Sequence, residues 1–374
     1  MIRIADIIGG SSEEDKEKKE KERQEKQKEP TPPPNVELIK NQTQFSSLVP
    51  PTPLEKQEPS LLELSKSMLD RVKLEDPKES KVLYETIINS LQEVCKDLVL
   101  NQGIELDSLN NSLNSLIDQI ALGNEQFLVL VNNPCPPKYI FPHMVNVAVL
   151  SIFLGRQVGL NKSRLLELAL GALLHDVGLL QFEEIIYAAR KITNEEYEQV
   201  KRHPVLGAKL LEKQKGISKN ILSIVSGHHE RSDGSGYPLG LKADKIDEST
   251  QIVCLANAYD SLIHKRPFRE RLLNEQAVKL LVERKASFNS RLLKFFIEAI
   301  SIYPVGCWVK LSSGDIAKVV GINKSSLLKP LVQLYFDKHE KRLETEKIVD
   351  LSKQPNLYVK EQVLDEMIEL KLKV

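Results

Sequence analysis

The sequence predicts a mainly α-helical protein with a small β-rich C-terminal appendage and a disordered N-terminal segment. Three observations predict it. From Ser60 to about Tyr303, apolar residues recur at three- and four-residue spacing, the pattern of helices with one buried face. After "YPVG" at 303–306 the pattern changes to short β-branched runs separated by turn residues. Before Ser60 the chain is charged or proline-rich and has little to bury.

Residues 12–29, "SEEDKEKKEKERQEKQKE", are almost wholly charged, and "PTPPP" and "VPPTP" stiffen an extended linker after them. Residues 1–59 are therefore expected to be disordered. The opening "IRIADII" could dock as a short apolar peptide, but a frayed terminus is the simpler reading. Over 60–132, "LLELSKSMLDRV", "LYETIINSLQEVCKDLVL" and "LNNSLNSLIDQIAL" give two or three helices. Dimerisation, signal input and plain packing all remain open as the role of this lead-in. A second helical block covers 133–303. In the region 304–374, "CWVKLSSGDIAKVVGI" reads as strand, turn, strand, and "PLVQLYF" and "KIVDLS" as further strands. A short last helix is expected near 360–371.

Length and composition narrow the function classes. The 374 residues suffice for two or three domains, and 41% hydrophobic content supports a sizeable core. With 52 basic and 52 acidic residues, nothing advertises a nucleic-acid or membrane surface. Cys95, Cys135, Cys254 and Cys307 form no CxxC pair and read as the reduced thiols of a cytoplasmic protein. The N-terminal "MIRIADIIGG" is too short for the apolar segment of a signal peptide. No apolar run approaches the roughly 20 residues of a membrane span. Any membrane link is expected to come through a partner.

The chemistry gathers in the second block. Five of the seven histidines lie there: His143, His175, His203, His228 and His229, with Asp176 beside His175. His264 and His339 have no comparable setting. One such histidine alone would read as a hydrogen-bonded core residue; five with an aspartate read as ligands. His143 starts a helix, and "SRLLELALGALLHD" brings His175 and Asp176 to the end of a buried one, with Gly178 placed to cap it. "TNEEYEQVKRHP" opens with a capping box from Thr193 to Glu196, and Pro204 sets His203 at an element boundary. "ILSIVSGHHE" ends a helix with His228 and His229. Four helix ends can thus converge on one pocket. Mixed imidazole and carboxylate donors suit iron, manganese or zinc better than calcium or magnesium. Asp176 can bridge two cations, His175 can complete one of them, and the leucines around "HD" keep the site dry. Two metals about 3.5–4 Å apart can hold a bridging hydroxide for phosphoryl displacement.

His143, "HD" at 175–176, "HP" at 203, "HHE" at 228 and "DGSGYP" at 233–238 together resemble the HD-GYP subgroup of the HD phosphohydrolases. The match runs from about Tyr139 to Arg269 and includes "RPFR" at 266–269. The resemblance implies an HD-type helical bundle and a phosphodiesterase that linearises cyclic di-GMP, with iron or manganese as cofactor. It implies one metal on His143, His175 and Asp176 and a second on Asp176, His203, His228 and His229. Gly234 and Gly236 let backbone approach a phosphate or turn tightly. Tyr237, beside Pro238, offers a ring to stack on guanine and a hydroxyl to donate. Arg266 offers a phosphate fork. Glu230 and Asp233 read as supports of ligands or of the loop. Other signalling proteins are candidate partners through this loop or the N-terminal segment, and homodimerisation is an option.

Three positions depart from the family pattern. "HDxGK" becomes "HDVGL", so Leu179 stands where a lysine is usual. "LANAYDSL" puts Asn257 at a metal-ligand position usually held by aspartate, and Asp260, three residues on, reads as structural. Tyr139 replaces the glutamate that holds a third metal in some members. Two functions of different class follow: a working phosphodiesterase, or a degenerate module that binds a dinucleotide or a partner.

Overall fold

The computed structural model describes residues 77–368 apart from 267, 268, 324 and 366. The expected disorder of 1–59, the docking peptide at 2–8, the lead-in before residue 77, the middle of "RPFR" and the end of the last helix lie outside the described residues.

Helix α1 (Pro77–Val99) buries Ile87, Leu91, Val94, Cys95 and Leu98, a stripe at helical spacing. Helix α2 (Asp107–Ala121) buries Leu109, Leu113, Leu116, Ile117 and Ile120 in the same manner. A short α3 (Gln126–Asn132) leads to α4 (Ile140–Gln157), which is buried on nearly every side. A helix apolar all round belongs at the centre of a bundle. Accordingly α4 packs against α1, against α5 (Lys162–Leu174), and against the later helices α10 (Glu248–Ile263) and α12 (Ser290–Ile300). Asn161 caps α5 by accepting the Arg164 N–H at 3.0 Å, and Asp247 caps α10 by accepting that of Thr250 at 2.9 Å.

Between α5 and α10 the chain makes a 3₁₀ turn (Val177–Phe182), a single turn α6 (Glu183–Ile186), α7 (Asn194–Val200), α8 (His203–Leu211) and α9 (Lys219–Gly227). Helix α11 (Asn274–Glu283) precedes α12. One hydrophobic cluster runs from Ile87 in α1 to Ile322, so the lead-in helices share the core of the histidine-bearing block. By length and composition alone, the helical stretch 162–186 is long and apolar enough to cross a membrane. It is mostly buried inside the protein, and its apolarity belongs to the core.

The C-terminal region is a five-stranded antiparallel sheet of order β4-β3-β2-β1-β5. Its strands are β1 (Trp308–Leu311), β2 (Ile316–Gly321), β3 (Leu331–Phe336), β4 (Arg342–Asp350) and β5 (Val359–Val363). Gly314 turns the β1–β2 hairpin with φ +94°. Val309, Leu311, Val319 and Val332 fill one face, and Trp308, Ile316 and Phe336 the other. The last helix expected near 360–371 begins later than expected: 359–363 is strand, paired through Val309↔Gln362 and Lys310↔Glu361, and Asp365, Met367 and Ile368 are helical. The open edge of β1 offers ladder hydrogen bonds that outweigh local helix preference.

Candidate metal centre

Helix ends deliver the donors. His143 lies in the first turn of α4, His175 at the C-terminal cap of α5, His203 at the first position of α8 and His228 at the C-terminal cap of α9. The Thr193–Glu196 capping box that starts α7 is present. Gly178 has a different task from the helix cap expected of it. It lies inside the 3₁₀ turn, where a Cβ would collide with the His203 carbonyl and the Gly207 amide. A bare glycine there lets the turn after Asp176 abut α8 and brings residues 175–176 against His203.

The imidazoles converge on Asp176. Its Oδ1 lies 3.2 Å from His203 Nε2 and 3.4 Å from His228 Nε2. Its Oδ2 lies 3.3 Å from His175 Nε2 and 3.6 Å from His143 Nε2. Two donor groups result, Asp176 with His203, His228 and His229, and Asp176 with His143 and His175. Within each, the ligand atoms lie within 4.8 Å of one another. Apart from half-buried His229, these side chains are buried.

The ring orientations have a common cause. His175, His203 and His228 each donate Nδ1–H to the carbonyl three residues back: Ala172 at 2.7 Å, Val200 at 2.7 Å and Val225 at 2.9 Å. These carbonyls end α5, α7 and α9, where helical partners run out. With Nδ1–H so engaged, each Nε2 presents a lone pair to the pocket. The Nε2 atoms of His203 and His228 stand 3.1 Å apart. Two lone pairs at that distance repel unless a proton or cation lies between them. Among the described residues, His175 Nε2 and Asp176 Oδ1 have no hydrogen-bond partner. Buried orphan donors of this kind fit a metal ion.

Charge follows the same geometry. Burial would raise the Asp176 carboxyl, but His175, His203 and His228 outweigh it and hold it well below the carboxylate range. Burial and the neighbouring His175 and His203 push His228 down to about 3, and burial with His228 and His203 keeps His229 well below the ordinary imidazole value. Burial also lowers His143, aided by Arg266. Burial would lower His175, but Asp176 outweighs it and raises that ring. Metal binding takes the neutral imidazole and the ionised carboxylate, the forms favoured at His143, His228, His229 and Asp176.

Asn257 is buried on α10, one turn before Asp260. Leu179 joins the hydrophobic core. Tyr139 lies under Arg266, whose guanidinium carbon stands 3.8 Å from the ring centroid. Nη2 of Arg266 reaches within 3.3 Å of His143 Nδ1, and its Nη1 is buried without a partner among the described residues. Tyr237 stacks on His229 with centroids 4.5 Å apart and rings 17° from parallel, so one face expected for guanine is taken by a histidine. Its hydroxyl is buried and unpartnered among the described residues. At Gly236 a Cβ would strike the backbone of residues 229–231, so this glycine serves the tight fold of the loop. Pro238 follows Tyr237 through a cis peptide bond. Glu230 supports the loop, accepting the amides of Leu239 at 2.7 Å and Leu241 at 2.8 Å. Asp233 supports it too, accepting the Ser235 amide and the Ser287 hydroxyl, each at 2.9 Å. Two residues were missed in their roles. Asp260 meets His143 Nδ1 at 2.5 Å, and His264 lies 3.2 Å from the other oxygen of Asp260. Their i, i+4 spacing on α10 was the available signal.

Comparison with known proteins agrees with this picture. A sequence profile of the HD domain matches residues 116–292, and one of a KOW domain associated with HD domains matches 308–371. The cyclic di-GMP phosphodiesterase PA4108 of Pseudomonas aeruginosa is 29% identical over 259 residues, covering 69% of this chain and 63% of that protein. The cyclic di-GMP phosphodiesterase PdeB of Borreliella burgdorferi is 28% identical over 276 residues, covering 73% and 72%. This chain thus spans somewhat under two thirds of the Pseudomonas relative's length. In fold it is similar to Bd1817, an HDG"Y"P protein from Bdellovibrio bacteriovorus. That likeness has a TM-score of 0.52 and 22% identity over 63% of this chain and 77% of the other. The HD profile aligns with the residues that supply every donor of the cluster, so residues 116–292 are similar to the HD domain.

Proposed function

We propose that this protein is a metal-dependent phosphodiesterase that opens a cyclic dinucleotide, cyclic di-GMP foremost. One observation carries the reading: two donor groups share the single carboxylate Asp176. The named activity of the Pseudomonas and Borreliella relatives supplies the substrate class. Two ions, iron or manganese, are assigned to the two groups; this donor mixture suits such borderline cations. When bound, such a pair supplies Lewis acidity, lowering the pKa of water and neutralising phosphoryl charge.

The chain's own residues do the rest. His143 and His175 hold one side of Asp176, and His203, His228 and His229 hold the other. Asn257 completes the first side only weakly, because a neutral amide donates less than a carboxylate. Nη1 of Arg266, without a partner among the described residues, is assigned to a phosphoryl oxygen, with Tyr139 steadying the guanidinium from its face. Tyr237 braces His229 through its ring and offers its unpaired hydroxyl to the substrate. Gly234, Gly236 and Pro238 shape the loop that carries it. Leu239, 76% exposed beside that loop, gives a signalling partner an apolar foothold. Four free thiols fit a cytoplasmic setting. Residues 133–303 act as the catalytic domain, with the lead-in helices sharing its core and the β-rich region after it as an extension.

Leu179 and Asn257 favour the second reading, a module that binds a dinucleotide without cutting it. One experiment separates the two. Purified protein is assayed for metal per chain and incubated with cyclic di-GMP and Mn²⁺ or Fe²⁺. Two metals and linear product support the enzyme. Tight binding without turnover, unchanged in Asn257→Asp, supports the binding module and ends the catalytic reading.

A further inference from the structure

We infer that Asp260 and His264 form a positioning pair behind the metal centre, a buried carboxylate–imidazolium couple that fixes His143 with Nε2 turned toward Asp176. The inference rests on the reading of His143 as a metal ligand.

Three of the clustered histidines are oriented by helix-terminal carbonyls. His143 has no such aid. It lies in the first turn of α4, where the carbonyls behind it belong to the helix's own ladder; its amide, for example, bonds the Tyr139 carbonyl at 2.9 Å. Another acceptor must hold its Nδ1–H, and α10 supplies one. Asp260 Oδ2 lies 2.5 Å from His143 Nδ1, with Asp260 fully buried and His143 3% exposed. An ionised carboxylate only accepts, so at 2.5 Å the shared proton sits on His143 Nδ1 and the lone pair on Nε2; Arg266 Nη2, 3.3 Å from the same nitrogen, is then a neighbouring cation and not its hydrogen-bond donor. That Nε2 is the atom 3.6 Å from Asp176.

A fully buried carboxylate is costly without a cation. His264 provides it, and its contacts fix its charge. Nδ1 lies 3.0 Å from the Asp260 carbonyl and 3.2 Å from Asp260 Oδ1, while Nε2 lies 3.1 Å from the Asn133 carbonyl. Every one of these neighbours is an acceptor. A neutral imidazole has a single N–H, so only the imidazolium satisfies both ring nitrogens. The Asn133 contact also fastens the end of α10 to the segment after α3.

Two measurements on the full chain test the pair. In metal-free protein labelled with ¹⁵N-histidine, long-range ¹⁵N–¹H spectra at pH 7 should show both His264 ring nitrogens protonated and His143 as the Nδ1–H tautomer. A neutral His264, or His143 protonated on Nε2 alone, overturns the inference, and this readout needs no variant. In Mn²⁺ titrations, Asp260→Asn and His264→Gln should weaken one of two sites about 10- to 100-fold and leave the other unchanged, the scale of losing a ligand's hydrogen-bond partner. Variants that melt as the wild type does and bind Mn²⁺ within twofold at both sites also overturn it. Failure of the phosphodiesterase reading looks different: a wild type that binds metal yet leaves cyclic di-GMP intact, with ring tautomers as stated.

Discussion

Asp176 is the one side chain that both donor groups need. Replacing it by alanine removes the carboxylate toward which four imidazole Nε2 atoms point. We predict that Asp176→Ala loses metal at both sites and that turnover falls by about a thousandfold or more, the scale of removing a group that stabilises a transition state. Elemental analysis and a cyclic di-GMP assay check this; near wild-type turnover would rule the mechanism out. Tyr237→Phe separates binding from metal retention. Its hydroxyl has no partner among the described residues, so its removal should change stability by less than about 1 kcal/mol. The ring still stacks on His229, so metal content should hold while KM rises several-fold. Loss of metal in this variant would show that the hydroxyl serves the ligands rather than the substrate.

At the scale of elements, the site depends on how closely the 3₁₀ turn meets α8. Gly178→Ala forces a Cβ into the His203 carbonyl and the Gly207 backbone. The expected cost is about 1–3 kcal/mol, the range for overpacking a dense interior. Metal affinity should fall with it, because Asp176 and His203 are pushed apart. Thermal melting and Mn²⁺ titration measure both. The capping box of α7 gives a pH signature. Arg190 and the Thr193 backbone bond Glu196 and hold its carboxyl down to about 2. A depressed carboxyl stabilises the fold above its unfolded pKa and loses that contribution as pH falls through the folded one. Glu196→Gln should therefore melt below the wild type at pH 7. The gap should narrow as pH drops from about 4.5 toward 2. A gap that stays constant over that window would show that the carboxylate charge is irrelevant to the cap.

For the whole molecule, the core that carries the donors lies between Ile87 and Ile322. A chain lacking residues 1–70 should keep its metal content per chain and melt within a few degrees of the full protein. Loss of metal on that truncation would mean that the N-terminal segment supports the centre. The sheet is tied to the helices by Gln362, which donates to Asn274 at 2.8 Å, and by Arg271 with Asp365 at 3.2 Å. Asn274 in turn reaches the Tyr259 hydroxyl of α10 at 2.8 Å, the helix that carries Asp260. The sheet is thereby joined to the element behind the metal centre.

The sequence by itself determined the helical class, the capping box at Thr193, the hairpin at Gly314 and the identity of the clustered donors. Periodicity, caps and turn residues act over a few positions, and histidines beside helix-ending residues stand out in a chain with only seven. It misjudged whatever depended on a partner distant in the chain. Residues 359–363 became a strand because β1 had an open edge. Gly178 proved to be a point of contact between segments, and Tyr237 found His229 for one of its faces. Asp260 and His264 acquired their roles only when α4 and the Asn133 carbonyl were brought against α10. Local spacing reports which face of an element is buried. The hydrogen-bond partner that orients a buried ring comes from another segment, and only the tertiary fold decides it.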